Sequence, residues 1–155
     1  MTNGSESNAA TPRFDSEILD LIPHREPMLL INRLLSVSAN SSESLVLVDE
    51  QAPFYQNVKG VPAWIGLEYM GQTSALIAGY QRREGLLEPH LGFLMGVRKY
   101  QAQVSYFDPG ENLIVLCEEA ALVGDSLATF NCTIRTQTSS QELATAMLSV
   151  FRRPL

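Results

Sequence analysis

The sequence has few cysteines and few basic residues. Its 155 residues include only 2 cysteines, Cys117 and Cys132, which is too few for a disulfide-stabilised scaffold. Both fall in strand-like segments and are predicted to be small core residues. Lysine and arginine total 11 against 17 aspartates and glutamates, so the net charge is -6. Because phosphate binding needs a basic face, we expect no nucleic-acid partner.

The sequence also lacks an uninterrupted apolar run long enough to cross a membrane. Its longest apolar stretch, VPAWIGLEYMGQTSALIAGY, carries Glu68, Gln72 and Thr73 near the centre, and a carboxylate at the middle of a bilayer is costly. The N-terminal residues show neither a basic segment nor an apolar segment typical of a secretory signal. We therefore expect no membrane span and a cytoplasmic location.

The length and composition indicate one folded domain. Hydrophobic residues make up 45% of the chain and charged residues 18%, which is enough apolar material for one core. Residues 1–12 are rich in Ser, Asn, Thr and Ala without periodicity, so they are predicted to be a disordered tail. Residues 13–155 are predicted to form the single domain.

The order of apolar patterns predicts an α+β fold. A short helix follows Asp15 and stops at Pro23. A long helix, apolar nearly all round, extends from Ala63 to about Glu84, with Gly85 as its C-cap. Six segments have strand patterns, at residues 28–37, 44–50, 92–104, 111–123, 128–137 and 143–153. Short turns between them favour an antiparallel sheet wrapped around the long helix.

Four small residues recur along one side of the long helix. Gly71, Ala75, Ala78 and Gly79 are predicted to let its backbone approach the sheet closely. The two edges of a six-stranded sheet would remain unpaired in a single chain. We therefore expect a dimer built by edge-strand pairing.

Glu68 is the leading candidate for a catalytic residue. It lies in the second turn of the helix predicted to be most buried, among apolar neighbours. Burial would disfavour its charged form and prepare it for proton transfer near neutral pH. Gln72 follows four residues later on the same face and is predicted to orient the carboxylate. The alternative is a structural carboxylate that faces a loop or a partner chain.

The beginning of that helix is a candidate oxyanion site. Pro62 suits the first helical turn, and the amides of Ala63 and Trp64 are predicted to lack partners within the helix. Free amides at a helix N-terminus can stabilise a developing oxyanion.

His24 is the second candidate for acid–base chemistry. It follows Pro23 after the first helix, where it is either catalytic or a capping residue at the surface. No Cys/His cluster has the spacing of a metal site, so no metal is expected.

Two segments resemble the hotdog-fold 3-hydroxyacyl-acyl-carrier-protein dehydratases, the FabZ-like superfamily. LIPHREPMLLINRLL is similar to the opening of these proteins, and VPAWIGLEYMGQ is similar to their central helix. Pro62, Glu68 and Gln72 match the helix motif in register. Ala63 stands where the family has the glycine whose amide polarises the thioester carbonyl. The likeness covers residues 18–153, and the Pro-Ala-Trp-x-Gly-x-Glu-Tyr-Met form is closest to the ApeP-like branch of aryl polyene biosynthesis.

One motif departs from the family. Common members carry a catalytic histidine in a Gly-His-Phe-Pro-Gly loop before the central helix, whereas this chain has PFYQNVKGVP there. Three alternatives follow: His24 serves as the base, Glu68 works with another group, or activity is lost. The resemblance to the ApeP-like branch favours His24.

The resemblance implies a dehydratase that acts on 3-hydroxyacyl thioesters held on an acyl carrier protein, in fatty acid or aryl polyene biosynthesis, without a cofactor. The acyl chain would occupy a tunnel lined by Met70, Trp64 and Phe93. The working unit would be a homodimer or a heterodimer with another dehydratase. Two alternatives are a hotdog thioesterase, in which Glu68 activates water, and an inactive partner subunit that binds the carrier.

Overall fold

A computed structural model describes residues 11–86, 90–124 and 126–154, with only the backbone of residues 90–95 and 154. Most of the predicted tail therefore lies outside the described residues. The helices are α1 (Ser16–Leu21) and α2 (Gly66–Arg83), and a 3-10 turn (Ala63–Ile65) leads directly into α2. The strands are β1 (Arg33–Val37), β2 (Ser41–Leu47), β3 (Val61–Pro62), β4 (His90–Ala102), β5 (Tyr106–Phe107), β6 (Asn112–Val123), β7 (Leu127–Thr136) and β8 (Glu142–Pro154).

Six strands form one antiparallel sheet in the order β1-β2-β6-β7-β8-β4, with α2 against one face. This arrangement confirms the predicted α+β hotdog fold. Alternate residues of β7 point to α2, because side chains alternate between the two faces of a sheet. On β7 these buried residues are Ala128, Phe130, Cys132 and Ile134. Strands β3 and β5 pair separately as a short ribbon that the sequence patterns did not indicate.

The long helix begins and ends where the sequence predicted. Pro62 precedes the 3-10 turn, and α2 ends at Arg83, two residues before Gly85. Gly85 has a φ of +68°, and its N–H donates to the Arg82 carbonyl while the Leu86 N–H donates to Gln81. This pair of bonds is a glycine C-cap of the Schellman type. Within the described ranges, no helix combines the length and apolar character needed to cross a membrane.

The sheet-facing side of α2 is closed by hydrogen bonds as well as by apolar packing. The hydroxyl groups of Thr73 and Ser44 share a hydrogen bond of 2.7 Å, and the Thr73 carbonyl accepts from the Ser42 hydroxyl. The Cys117 thiol donates to the Met70 carbonyl, and Cys132 lies directly opposite Cys117 on β7. Both cysteines are free and buried, which confirms that they are small core residues.

The small residues of α2 do not all face the sheet as predicted. A Cβ on Gly79 would lie 2.0 Å from the Leu21 carbonyl oxygen, so this glycine permits close contact with α1. Gly71, Ala75 and Ala78 instead lie on a half-exposed side of the helix. A Cβ on Gly71 would meet no described atom within 4 Å. Helical rotation explains the difference, because residues at this spacing occupy an arc wider than the α1 contact.

The first predicted strand is shorter than its apolar pattern. β1 begins only at Arg33; Met28 ends a turn in which the N–H groups of Met28 and Leu29 donate to the Arg25 carbonyl, and residues 29–31 belong to no strand. The Gln72 side chain bonds the backbone of Met28 and Leu30, which satisfies groups that a strand would pair. The following loop is also short, since β2 begins at Ser41.

Candidate active site

The buried side chain of Gln72 connects α2 to the segment that follows His24. Its amide oxygen accepts from the Leu30 N–H at 2.8 Å, and its amide nitrogen donates to the Met28 carbonyl at 2.7 Å. The same nitrogen donates to Glu68 Oε1 at 3.1 Å, which confirms the predicted hydrogen bond. One amide therefore holds the Glu68 carboxylate beside the loop between α1 and β1.

Glu68 is exposed, and the prediction that it is buried is wrong for the single chain. The apolar composition of α2 indicated burial all round. However, Glu68 lies about 200° around the helix from Met70, which faces the sheet with no exposed area. Its carboxylate is therefore on the open side of α2, one turn before Gly71.

His24 lies two residues beyond the C-cap of α1. The neighbouring Arg25 guanidinium donates to the carbonyls of Leu19, Ile22 and His24 itself, at 2.7–2.9 Å. These bonds fix the turn that carries the imidazole. His24 is half-buried, and its Nδ1 is buried with no hydrogen-bond partner among the described residues. The ring therefore has a nitrogen that no structural contact uses.

Three effects act on the protonation of His24. Burial is the largest and lowers its pKa, the Glu68 carboxylate raises it, and the Arg25 guanidinium lowers it, with a net lowering. The Glu68 carboxylate is therefore one of the charges that act on the His24 imidazole within one chain. The net lowering favours the neutral imidazole, which is the form that accepts a proton.

The two amides predicted to form an oxyanion site differ. The Ala63 N–H donates to the Ser105 carbonyl at 2.9 Å, so it is not a free donor. Trp64 follows at the open end of the helix, and its N–H has no partner among the described residues. Of the pair, only the Trp64 amide is available to a ligand.

An exposed aromatic pair lies beside this helix end. The rings of Phe54 and Trp64 are 6.1 Å apart, and the two side chains are 50% and 65% exposed. Phe54 and Val58 both have positive φ angles, +67° and +72°. Such angles are uncommon for non-glycine residues and unusual for a β-branched one. Sequence reasoning missed this loop, because nothing in PFYQNVKG signals positive φ at Phe or Val.

Of the residues predicted to line an acyl tunnel, Met70 lies on a different side of α2 from Glu68. Met70 packs in the core, on the sheet side of α2. The side chain of Phe93 lies outside the described residues. Trp64 alone of the three is beside Glu68 on the chain and open to solvent.

The arrangement suits proton removal next to a carbonyl group. It offers an imidazole biased to its neutral form, a carboxylate held by an amide, and a free N–H at a helix N-terminus. An acid–base pair and an oxyanion donor are the groups that such chemistry needs.

Comparisons with known proteins identify dehydratases as relatives. The family model described as "ApeP-like: ApeP dehydratase" matches residues 16–154. The 3-hydroxyacyl-[acyl-carrier-protein] dehydratase FabZ of Thermus thermophilus is 30% identical over 137 residues, covering 86% of this chain and 92% of that protein. FabZ of Ralstonia nicotianae is also 30% identical, over 74% of this chain and 75% of its own length.

Among solved structures, one similar chain belongs to a dehydratase complex and another shares the fold alone. The dehydratase heterocomplex ApeI:P from Xenorhabdus doucetiae contains a chain that is 26% identical, with a TM-score of 0.78 and coverage of 89% of this chain and 91% of that one. A hypothetical thioesterase from Streptococcus pneumoniae is 8% identical with a TM-score of 0.61, over 79% of this chain and 88% of that chain, and shares the fold alone. The chain therefore belongs to the ApeP-like family of dehydratases.

Proposed function

We propose that this chain removes water from 3-hydroxyacyl thioesters carried on an acyl carrier protein, with His24 and Glu68 as its base and acid. The supporting observation is the Gln72 side chain, which bonds Glu68 and also the backbone just after the His24 turn. Family membership supports the reaction class, and the contact supports His24 as the residue that takes the place of the missing loop histidine.

The reaction assigns one proton transfer to each group. His24, biased to its neutral form, accepts a proton from C2 of the substrate, and negative charge develops on the thioester oxygen. Glu68 donates a proton to the C3 hydroxyl, the C3–O bond breaks, and water leaves as the C2–C3 double bond forms. The Trp64 N–H is the proposed donor to the thioester oxygen, in place of the occupied Ala63 amide.

Glu68 needs cover to act as an acid. An exposed carboxylate is stabilised in its charged form by water, and covering it favours the neutral acid. We propose that a second hotdog subunit provides this cover. Apolar side chains are exposed near this side of α2: Trp64 lies one helical turn before Glu68 and pairs with Phe54, and Met28 ends the turn that Gln72 bonds.

Pairing at a sheet edge is the proposed route to that second subunit. β4 has 13 residues and, among the described residues, pairs within the sheet only with β8, so that part of the chain leaves its other side as an open edge. The relative in the ApeI:P heterocomplex supports a heterodimer, and a homodimer is the alternative. Light scattering on the chain alone and mixed with a second dehydratase distinguishes these states. A stable monomer at micromolar concentration under both conditions would contradict the proposal.

An activity assay tests the reaction itself. The chain, alone and with a second dehydratase subunit, is incubated with a 3-hydroxyacyl thioester on an acyl carrier protein. We expect an enoyl absorbance to appear without release of free thiol. Thiol release would indicate the thioesterase alternative. Turnover that always requires the partner's own active site, and is unchanged by variants of this chain, would indicate an inactive subunit.

His24→Ala separates the two interpretations of this histidine. As the base, His24 contributes about a hundredfold or more to the rate. As a capping residue it contributes about 1 kcal/mol of stability and little rate. A variant that melts earlier but turns over normally would remove His24 from the mechanism.

The carrier protein is the proposed source of substrate. Lys59 is exposed in the loop before α2, with its ammonium group 5.7 Å from the centre of the Tyr106 ring. An exposed cation in the loop before α2 suits an acidic partner even though the whole chain is negative. Lys59→Glu is expected to raise KM for carrier-bound substrate and to leave KM unchanged for a small thioester. Equal effects on both substrates would contradict this docking contact.

A further inference from the structure

The phenol of Tyr100 reaches the peptide that carries the proposed oxyanion donor. Its hydroxyl donates to the Ala63 carbonyl oxygen, which also accepts the Gly66 N–H. Tyr100 lies on β4, 37 residues along the chain from Ala63. A hydroxyl from the sheet therefore fixes the first peptide of the helix that bears Glu68.

The sheet is locally distorted where Tyr100 projects. The β4–β8 register shifts between Arg98 and Gln101, and Lys99 has a φ of +56°. A bulge of this kind re-aims a side chain, and positive φ at a lysine is a conformation that the surroundings must hold. The distortion lies immediately beside Tyr100, whose ring it directs to Ala63.

A glycine in the helix makes room for the phenol. A Cβ on Gly66 would lie 2.5 Å from the Tyr100 hydroxyl oxygen. It would also lie close to Ile134 and Phe107, at 3.0 and 3.1 Å. The missing side chain of Gly66 therefore leaves the space that the Tyr100 hydroxyl occupies.

The bond acts on the Trp64 N–H through the peptide group itself. The Ala63 carbonyl and the Trp64 N–H belong to one planar trans peptide, so they point in opposite directions. Holding the carbonyl towards Tyr100 therefore aims the N–H away from the sheet. A hydrogen bond to the carbonyl also polarises the peptide and makes its N–H a stronger donor.

We propose that Tyr100 is a positioning residue that orients and polarises the Trp64 amide for the thioester oxygen. The inference rests on the proposed function, since it deepens the role of the same site. Burial raises the pKa of Tyr100 to about 12, so its hydroxyl keeps its proton at working pH. Ser105 complements it by occupying the Ala63 N–H, which leaves Trp64 as the available donor.

The first test needs no substrate. The full chain is labelled with ¹⁵N, and the amide proton resonance of Trp64 is compared in wild type, Tyr100→Phe and Tyr80→Phe. Tyr80 is the matched control, because it is a half-buried tyrosine at the other end of α2. We expect the Trp64 resonance to move to higher field in Tyr100→Phe only. No difference between the two variants would overturn the proposal.

Kinetics supply the second test. Tyr100→Phe is expected to lower kcat about tenfold with KM within about twofold, a smaller loss than the 10²–10³ typical of removing an oxyanion donor itself. A purely structural role would lower the melting temperature and leave kcat per folded molecule unchanged. Wild-type kcat in Tyr100→Phe would refute the positioning role without affecting the proposed function. Absence of dehydration in the wild type would refute the function, and the resonance shift would still decide the role of Tyr100.

A third variant keeps the outcome clear if Tyr100→Phe folds poorly. 3-Fluorotyrosine at position 100 retains the ring and makes the hydroxyl a better donor, and the high pKa of Tyr100 leaves it protonated. The Trp64 resonance is expected to move to lower field, opposite to the Phe variant. A shift in the same direction as Phe would contradict polarisation through Ala63.

Discussion

The two sides of helix α2 differ in their burial and their hydrogen bonds. The side against the sheet is buried and hydrogen-bonded. Thr73 bonds to β2, and the Met70 carbonyl accepts from the Cys117 thiol. The opposite side presents Glu68 and then small residues, with free space beside Gly71. The comparison shows that the sheet side specifies where the helix lies. The open side carries the carboxylate that we propose as the acid, and this carboxylate is exposed in the single chain.

The largest effect is expected from a change on the open side. Glu68→Gln keeps the volume and the hydrogen bond to Gln72 but cannot donate a proton, so kcat should fall at least about a hundredfold. The melting temperature should change little, because the side chain is exposed. Glu84→Gln, an exposed change at the end of the same helix, is the control. Near-normal turnover of Glu68→Gln would show that the open side does not hold the acid.

A substitution on the packed side should damage the fold instead. In Gly79→Ala the new methyl group collides with the backbone of Leu21, and α1 must shift. We expect a loss of about 1–3 kcal/mol in the free energy of unfolding, as for other overpacked sites. Denaturant unfolding measures this loss. An unchanged midpoint would mean that α1 is not seated on Gly79 in solution.

The titration of His24 tests whether the charges of Glu68 and Arg25 act on its imidazole. Its titration, followed by NMR of the imidazole, should have a midpoint below the ordinary 6.5. Removing the raising influence in Glu68→Gln should move the midpoint lower, and removing the lowering influence in Arg25→Gln should move it higher. Shifts in the opposite directions would mean that these charges do not face His24.

The same lowering has a consequence for stability. Between the folded and unfolded pKa values, the folded chain binds fewer protons at His24 than the unfolded chain does. The contribution of His24 is therefore fully present above pH 6.5 and is lost as pH falls from there through the lower folded value. His24→Ala should flatten this part of the stability curve, which thermal unfolding at several pH values measures.

The smallest effect is expected from a substitution of Gly71, which lies on the open side of α2. Gly71→Ala places a methyl group in open space, and alanine is the better helix former. The free energy of unfolding should rise by about 0.5–1 kcal/mol. Destabilisation of the isolated chain would show that the open side is packed. If the variant is stabilised alone but pairs poorly with a second subunit, the open side is the covered surface of the dimer.

Much of the fold could be predicted from the sequence. The limits of α2 follow from Pro62 and Gly85, which start and stop helices for local steric reasons. The long strands follow from their period-two patterns. β1 was overestimated, because an apolar pattern cannot show that the Gln72 side chain takes the backbone groups near Leu30. The hydrogen bond between Gln72 and Glu68 was predictable, since four residues make one helical turn.

The exposure of Glu68 was not predictable in this way. The sequence of the helix is apolar on nearly all sides, and only the tertiary structure shows which side the sheet covers. The occupation of the Ala63 amide by Ser105 also depends on chain distant in sequence. Neither feature has a local signal, because the first depends on which side of α2 the sheet covers and the second on how the chain at Ser105 approaches Ala63.

The sequence by itself determined the order of the two helices and of the six strands of the main sheet, the limits of α2, and Glu68 as the candidate acid. Local propensities and steric rules act within a few residues, so they can be read from the chain directly. Only the tertiary structure decided that Glu68 lies on the open side and that Trp64 retains the free amide. It also directed Tyr100 to Ala63 through a bulge in β4. These features arise where segments far apart in sequence meet, and packing geometry alone decides which groups are left for a substrate.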